Sequence, residues 1–221
     1  MPRSTDSNGR APSTDELVAE GAPVRLRDGS HVRLRPIRPD DKEQLERGFD
    51  RLSPESRYRR FLCPMNELSD QMVEYLTDVD HHDHEAIVAL DEESGEGVGV
   101  ARYVRHLDRP EVAELAVTVM DDWQGRGVGT LLVQVLSARA RAEGLTAFSA
   151  LCLATNDEML DLLQDLGPVH VVERNSGTVE VEMPIPDVGL SPVLRKLLRV
   201  SSRADVVAPM ASGRPPRLAG A

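Results

Sequence analysis

The feature that most constrains the fold is a glycine-rich turn at residues 121–130, DDWQGRGVGT. Gly125, Gly127 and Gly129 alternate there, between a run typical of a strand and a strongly periodic helix. Glycine lets the backbone adopt strained angles and approach a ligand closely. The first amides of a helix have no acceptors within it, and the helix dipole makes them attractive to anions. The turn therefore predicts a strand–turn–helix unit with a phosphate site.

Two familiar phosphate loops do not fit this turn. A Walker loop ends in Gly-Lys-Ser/Thr, which the chain lacks. A dinucleotide fingerprint has the spacing G-x-G-x-x-G and an acid about 20 residues later, whereas the spacing here is G-x-G-x-G and the later segment reads AEGLTAFS. A tight turn without a ligand remains the alternative.

The body of the chain, residues 23–186, alternates strand and helix patterns. Hairpin signals come first and a strand–helix–strand unit follows, which predicts a single α/β domain (an α+β mixed sheet). Ser53 and Ser69 are expected to cap helices. The strands are predicted at 24–27, 31–35, 86–90, 98–104, 112–120, 147–153, 169–172 and 178–183.

The two ends of the chain differ from the body. Residues 1–22 are rich in Ser, Thr, Asp, Gly and Pro and are expected to be disordered. Residues 187–221 form a tail with six basic residues against two acids. Within that tail, apolar residues at helical spacing predict a short basic amphipathic helix over 190–200, and packing against the domain is favoured over docking to a membrane or partner.

Charge and composition narrow the function classes. The chain has a net charge of -11, whereas nucleic-acid binding needs a basic surface, so a neutral or cationic substrate is expected. No apolar run approaches the roughly 18–20 residues that span a bilayer, and the polar first sixteen residues do not resemble a secretion signal. With 2 cysteines there is no disulfide framework. We therefore expect a cytoplasmic protein without membrane or nucleic-acid partners.

Residues 124–129, QGRGVG, resemble the Gln/Arg-x-x-Gly-x-Gly/Ala pyrophosphate loop of the GCN5-related N-acetyltransferase (GNAT) superfamily. The resemblance extends over residues 23–186. The opening RLRPIRPDD, the segment LSPESRYRRF and the strand AELAVTV also look like bacterial protein lysine acetyltransferases of the Pat type. This resemblance implies the GNAT fold, acetyl-CoA as co-substrate and an amine acceptor.

The resemblance also implies which residues bind the coenzyme. In the family, the strand before the turn separates from its neighbour and pairs with the pantetheine arm, which corresponds here to Val117, Thr118 and Val119. Asn156 matches a cofactor-holding position, although Asn is also a favoured helix N-cap. The pyrophosphate would be bound by the turn: Gln124, Gly125, Arg126, Gly127, Val128, Gly129 and Thr130.

Glu114 matches the position of the family's general base. A lysine amine has a pKa of about 10.4, so it must lose a proton before it attacks a thioester. Because Ala113 and Leu115 flank Glu114, we expect an apolar environment that raises the pKa of its carboxyl group. The alternative is a solvent-facing carboxylate paired with Arg102 or Arg105, and Glu111 is the reserve candidate for the base.

Three other features of the chain bear on its chemistry. The run DVDHHDHE at residues 78–85 has a metal-like composition, but a contiguous segment imposes little geometry, so we expect a solvated acidic loop and no metal. Cys152 lies in an apolar strand and is expected to be inert. The helix after that strand, NDEMLDLLQDLG, lacks the Tyr that protonates the leaving thiolate in many relatives.

The sequence therefore predicts an acetyl-CoA-dependent N-acetyltransferase that acts on lysine side chains of proteins, such as acyl-CoA synthetases. Two alternatives stay open at this point. One is the same chemistry on a small amine such as a polyamine, an amino acid or an antibiotic. The other is an acyl-CoA-binding regulatory module without catalysis.

Overall fold

The computed structural model describes residues 13–187 and 189–201. Their strands form one sheet in the order β1-β2-β3-β4-β5-β6-β8-β7. Every neighbouring pair is antiparallel except β5 and β6, which run parallel. The predicted mixed α/β sheet is confirmed. The strands are β1 (Ala22–Arg25), β2 (His31–Pro36), β3 (His84–Asp91), β4 (Gly97–Arg105), β5 (Val112–Val119), β6 (Ala147–Leu153), β7 (His170–Asn175) and β8 (Thr178–Pro184).

Seven α-helices occur in the described residues, and several begin at residues whose side chains accept hydrogen bonds from the first turn. Ser53 and Ser69 accept from the amides of Ser56 and Met72, which confirms both predicted caps. The helices are α1 (Thr14–Glu20), α2 (Lys42–Arg51), α3 (Pro54–Phe61), α4 (Asp70–Thr77), α5 (Val128–Ala142), α6 (Asp157–Leu166) and α7 (Pro192–Ser201).

The central strands alternate their side chains between two helical layers. Residues directly opposite each other in antiparallel strands share a face, so the pairs Ala101↔Val117 and Tyr103↔Leu115 lie on one side of the sheet. There they pack with the apolar stripe of α5 in the main core. The pair Arg102↔Ala116 lies on the opposite side, together with Thr118, beneath α2, α3 and α4. Glu114, two positions before Ala116, shares that second face.

The expectation of disorder through residue 22 is wrong for residues 13–22. Ser13 and Glu16 form a capping box that begins α1, and Leu17 is 0% exposed within the main core. The polar composition of this segment does not indicate an ordered helix, because its order depends on the burial of one leucine against distant parts of the chain. The prediction for residues 1–12 lies outside the described residues.

The amphipathic helix predicted at 190–200 is present as α7. It packs against α1 and β1, and Leu194 and Leu197 belong to the main core. The folded domain therefore reaches beyond the expected limits of 23–186 at both ends. The rest of the predicted tail, residues 202–221, lies outside the described residues. Within residues 13–187 and 189–201, no helix combines the length and apolar character needed to cross a bilayer.

Candidate functional site

The glycine-rich turn leaves a row of backbone donors free of protein acceptors. Gly125 and Gly127 adopt φ values of 71° and 87°, which glycine tolerates far better than other residues, and Gly127 is the N-cap of α5. Within the described chain, none of the amides of residues 125–130 donates a hydrogen bond to another protein group. These donors stand at the positive end of a 15-residue helix. The arrangement suits a diphosphate.

The parallel strands β5 and β6 separate beside this turn. Their pairing covers Val112↔Ala147, Ala113↔Phe148 and Glu114↔Ser149, and β5 then continues to Val119 without a β6 partner in the described structure. Since β4 pairs with β5 along the other edge as far as Val119, the free edge of β5 faces the gap. Alternate amides and carbonyls of that edge face the gap, where an extended ligand could pair with those that have no protein partner.

A cavity of about 450 Å³ occupies the gap and extends over the turn. Ten of the eleven residues expected to bind the coenzyme line it: Val117, Thr118, Val119, Gln124, Gly125, Gly127, Val128, Gly129, Thr130 and Asn156. The volume lies within the usual range of ligand sites, roughly 300–1,000 Å³.

Arg126 is the member of the expected set that does not line this cavity. Its guanidinium lies 4.8 Å from the centroid of the Trp123 ring and 3.8 Å from a carboxylate oxygen of Asp28. Gln124 does line the cavity, and its side-chain amide donates to the carbonyl of Val119 at 3.1 Å. In this structure, Gln124 therefore braces the turn against β5, and Arg126 braces it against the β1–β2 turn.

Asn156 is the N-cap of a helix, one of the two roles considered for it, and it also lies on the cavity wall. Its side-chain oxygen accepts from the amide of Met159 at 3.2 Å, which makes it the N-cap of α6. It also lines the cavity while being 9% exposed.

Helix α3 forms a wall of the cavity that sequence reasoning did not identify. The Asp121 carboxylate accepts hydrogen bonds from the amide and hydroxyl of Ser53 and from the hydroxyl of Ser56, which holds the start of α3 against the glycine-rich turn. Arg59 reaches across to Glu158 on α6, with 2.5 Å between nitrogen and oxygen. The lining residues missed from the sequence are Ser56, Arg59, Arg60, Trp123, Glu158, Met159, Asp161, Leu162 and Asp165.

Glu114 lies at the last residue pair before β5 and β6 separate. Its side chain is exposed, so the burial expected from Ala113 and Leu115 is absent. Strand alternation explains this, because those two neighbours point to the opposite face and are buried there. Glu114 acts electrostatically on the nearby groups of Arg60 and Tyr75.

The arginines considered as partners of Glu114 are engaged elsewhere. Arg102 donates to His84 and to the carbonyl of Leu76, and Arg105 forms an ion pair with Asp83 at 2.7 Å. Glu111, the reserve candidate for the base, is exposed, and its carbonyl accepts from the amide of Thr146 at the start of β6.

The histidine run is partly structural rather than a solvated loop. Nδ1 of His81 donates to the Glu85 carboxylate at 2.7 Å, and Glu85 is fully buried beside Arg139. Burial and the charge of Arg102 lower the pKa of His84 to about 3, so this ring is neutral near pH 7. The described residues hold no group of three or more side chains suited to a metal.

Cys152 is 3% exposed on β6, and its burial raises the pKa of the thiol. A buried thiol with a raised pKa has little thiolate, which is the form that reacts. The structure thus offers no support for a covalent role of Cys152.

Comparisons with known proteins agree with this geometry. The chain is 36% identical over 176 residues to Acetyltransferase Pat of Mycolicibacterium smegmatis, covering 80% of this chain and 52% of that protein. It is 38% identical over 155 residues to Acetyltransferase PA5475 of Pseudomonas aeruginosa, covering 69% of this chain and 83% of that protein. The chain thus spans about half the length of the mycobacterial relative.

Solved structures show the same relationship. The GNAT domain of S. lividans PAT matches with a TM-score of 0.68 and 34% identity, covering 74% of this chain and 96% of that one. A cAMP-binding acyltransferase from Mycobacterium smegmatis matches with a TM-score of 0.58 and 31% identity, covering 81% of this chain and 55% of that one. The sequence profile of the Acetyltransferase (GNAT) family matches residues 49–167, which include the glycine-rich turn and both separating strands. The chain therefore belongs to the Acetyltransferase (GNAT) family.

Proposed function

We propose that this protein transfers an acetyl group from acetyl-CoA to a primary amine. The observation that carries the proposal is the row of free amides at residues 125–130, at the start of α5, on a turn of which every residue from 124 to 130 except Arg126 lines the cavity of about 450 Å³. These donors match the charge and size of the coenzyme diphosphate. The free edge of β5 beside them supplies main-chain partners for the amides of the pantetheine arm. The residues that would hold the coenzyme are Val117, Thr118, Val119, Asn156 and residues 124–130.

In the proposed reaction, the neutral amine attacks the thioester carbonyl, and the coenzyme thiolate leaves. Glu114 takes the proton from the amine, directly or through one water. Its position where β5 and β6 separate supports this role, because the thioester end of an extended pantetheine arm would lie near that point. Its exposure gives water a route to the carboxylate. A backbone amide near Val117 would stabilise negative charge on the carbonyl oxygen.

We propose protein lysine side chains as the acceptors. Similarity to Acetyltransferase Pat supports this choice, and the net charge of -11 favours a cationic acceptor. Three acidic residues of α6 on the cavity wall, Glu158, Asp161 and Asp165, add to the negative field near the site. A small cationic amine satisfies the same electrostatics, so the acceptor test must include both classes.

The first experiment measures coenzyme binding and acceptor choice separately. Calorimetry with coenzyme A and acetyl-CoA is expected to show binding at physiological salt. Labelled acetyl-CoA is then incubated with the protein and either cell extract or a panel of small amines. Label on proteins supports lysine acceptors, label confined to small amines rejects them, and binding without any transfer indicates a non-catalytic module.

The second experiment tests the base. Glu114→Gln is expected to lower kcat by about 10²–10⁴-fold, the usual contribution of a general base, and to leave acetyl-CoA affinity unchanged. The deficit should shrink as pH rises, because more of the amine is then already neutral. Glu111→Gln is the matched control, since it removes an exposed carboxylate just before the same strand. An unchanged rate in Glu114→Gln, or an equal loss in Glu111→Gln, would reject Glu114 as the base.

A further inference from the structure

A second cavity, of about 90 Å³, lies between the sheet and helices α2, α3 and α4. Arg60 and Thr118 line both cavities, so the smaller one adjoins the coenzyme cleft on the face of the sheet that carries Glu114. Its wall is mostly apolar, with side chains that include Leu45, Phe49, Leu52, Phe61, Leu76 and Met120.

Two arginines stand in this apolar wall without a carboxylate partner. Arg102 is 4% exposed and donates to the ring of neutral His84 at 2.9 Å and to the carbonyl of Leu76 at 3.0 Å. These bonds use two of the five N–H donors of a guanidinium. Arg60 is half-buried, with its guanidinium 5.0 Å from the centroid of the Phe61 ring. Among the described residues, no carboxylate oxygen lies within 4.0 Å of either guanidinium.

The acids near the cavity do not neutralise this pair. Asp41 also lines it, but both its oxygens accept from Arg35, at 2.6 and 2.7 Å. Glu114 attracts Arg60 from beyond ion-pair distance. Burial lowers the pKa of Arg60, and burial together with the charge of Arg60 lowers the pKa of Arg102 to about 9. A buried cation and a half-buried one, both without a carboxylate partner, are costly, and an anion bound by both would remove much of that cost.

The size and chemistry of the cavity define the group that fits. A buried water molecule needs a cavity volume of about 10–15 Å³. A cavity of about 90 Å³ therefore has room for roughly six to nine groups the size of a water molecule. The methyl of an acetyl group would fill only a small part of it. A carboxylate matches the planar donors of guanidinium, and a short methylene chain matches the apolar wall.

We propose that this cavity binds a short apolar chain ending in a carboxylate, held by Arg60 and Arg102. The inference rests on the proposed acyl transfer from coenzyme A to a primary amine and specifies the substrate class of one of the two reactants. The carboxylate has two possible sources in the reaction. One is a dicarboxylic acyl group on coenzyme A, such as succinyl or glutaryl, and the other is a carboxylate on the amine acceptor. In either case, the substrate is anionic at the end away from the reacting amine or thioester.

The test compares carboxylated ligands with neutral ligands of matching length. In the donor arm, succinyl-CoA and glutaryl-CoA are compared with butyryl-CoA and valeryl-CoA at a fixed acceptor. In the acceptor arm, amino acids of three to five carbons are compared with their carboxamides, with acetyl-CoA as donor. We expect at least a tenfold preference in kcat/KM for the carboxylated ligand in one arm, and that arm identifies the source of the carboxylate.

Three variants connect such a preference to the arginines. Arg60→Gln is expected to lower the ratio of carboxylated to neutral kcat/KM by roughly 10- to 100-fold, the range for a charge-assisted hydrogen bond. Arg102→Lys keeps the charge at the more buried position but loses the planar fork, so it should weaken the preference in the same arm. Arg47→Gln, which removes an exposed arginine of α2 outside both cavities, should leave the ratio unchanged.

The outcomes separate this inference from the proposed function. Suppose that coenzyme A binds, that acetyl transfer proceeds, and that neither arm shows a preference in kcat/KM for the carboxylated ligand. The carboxylate inference is then overturned and the proposed function stands. A preference that persists in Arg60→Gln also overturns it. If coenzyme A itself does not bind the unmodified protein, the proposed function fails and this inference fails with it. Thermal unfolding of each variant verifies that changed ratios come from folded protein.

Discussion

Replacing Gly127 with alanine tests the glycine-rich turn directly, because Gly95 provides a control with the same backbone strain. Gly127 has a φ of 87° and Gly95, in the β3–β4 turn, has a φ of 72°. A Cβ added at either position would meet no heavy atom within 4 Å, so neither substitution creates a clash within the protein. The left-handed conformation costs alanine about 1–2 kcal/mol. For a domain of this size, that corresponds to a fall in Tm of about 2–8 °C in both variants.

The two variants should differ in coenzyme affinity. Gly127 lines the cavity of about 450 Å³, and the open space before it is where a diphosphate would accept from the free amides. A methyl group there would displace the phosphate or turn the amide away. Loss of one charge-assisted hydrogen bond, about 1.5–3 kcal/mol, weakens binding by roughly 10- to 100-fold. Gly95 does not line that cavity, so Gly95→Ala should bind coenzyme A with unchanged affinity.

Calorimetry with coenzyme A, combined with thermal unfolding of both variants, is the assay. The reasoning would be refuted by Gly127→Ala binding within about twofold of the unmodified protein. It would equally be refuted by Gly95→Ala losing as much affinity, since the loss would then follow general strain rather than contact with the ligand.

Three further predictions concern stability. The pKa of His84 is about 3 in the folded chain and about 6.5 when unfolded, so near and below pH 6.5 the unfolded chain binds more protons at this residue. The free energy of unfolding should therefore fall by about 2 kcal/mol between pH 7 and pH 5. Urea unfolding of His84→Gln across that range should show this contribution removed, and an unchanged pH slope would contradict it. Leu17→Ala should cost about 2–5 kcal/mol, whereas Leu107→Ala, at a residue 94% exposed, should cost under about 0.5 kcal/mol; equal Tm values would mean that α1 contributes little to the fold. Gly99→Ala should cost about 1–3 kcal/mol because the new Cβ would lie 3.0 Å from a side-chain carbon of Leu132 where α5 crosses β4, and an unchanged midpoint in urea would show that the helix can shift aside.

The elements that sequence reasoning predicted well carry their own local signals. The apolar stripe of α5 repeats at helical spacing, and the caps at Ser53 and Ser69 directly precede their helices. In the glycine-rich turn, the glycines themselves indicate backbone angles that other residues rarely adopt. The predicted cap at Asn156 is confirmed as well, and its side chain lies on the cavity wall.

Other features depend on distant parts of the chain and have no local signature. The order of α1 comes from the burial of Leu17, which needs the packing of α7 and the sheet. Arg60 and Arg102 are far apart in sequence and come near each other only when α3 packs against the central strands of the sheet. The exposure of Glu114 can be predicted from the sequence, since alternation along a strand places it on the opposite face from Ala113 and Leu115.

The short pairing between β5 and β6 has a mechanical consequence. In the described sheet, three residue pairs join the strands β1–β5 to the strands β6–β8. We therefore expect the second group to open more readily than the rest of the sheet, to the extent that its packing in the main core allows. A ligand lying along the free edge of β5 and touching α6 would bridge the two groups. Amide hydrogen exchange in β6 and β8 should then slow when the coenzyme is added, in proportion to its concentration over its Kd. Under the proposed function, the bound coenzyme would act as a removable strand that completes the sheet.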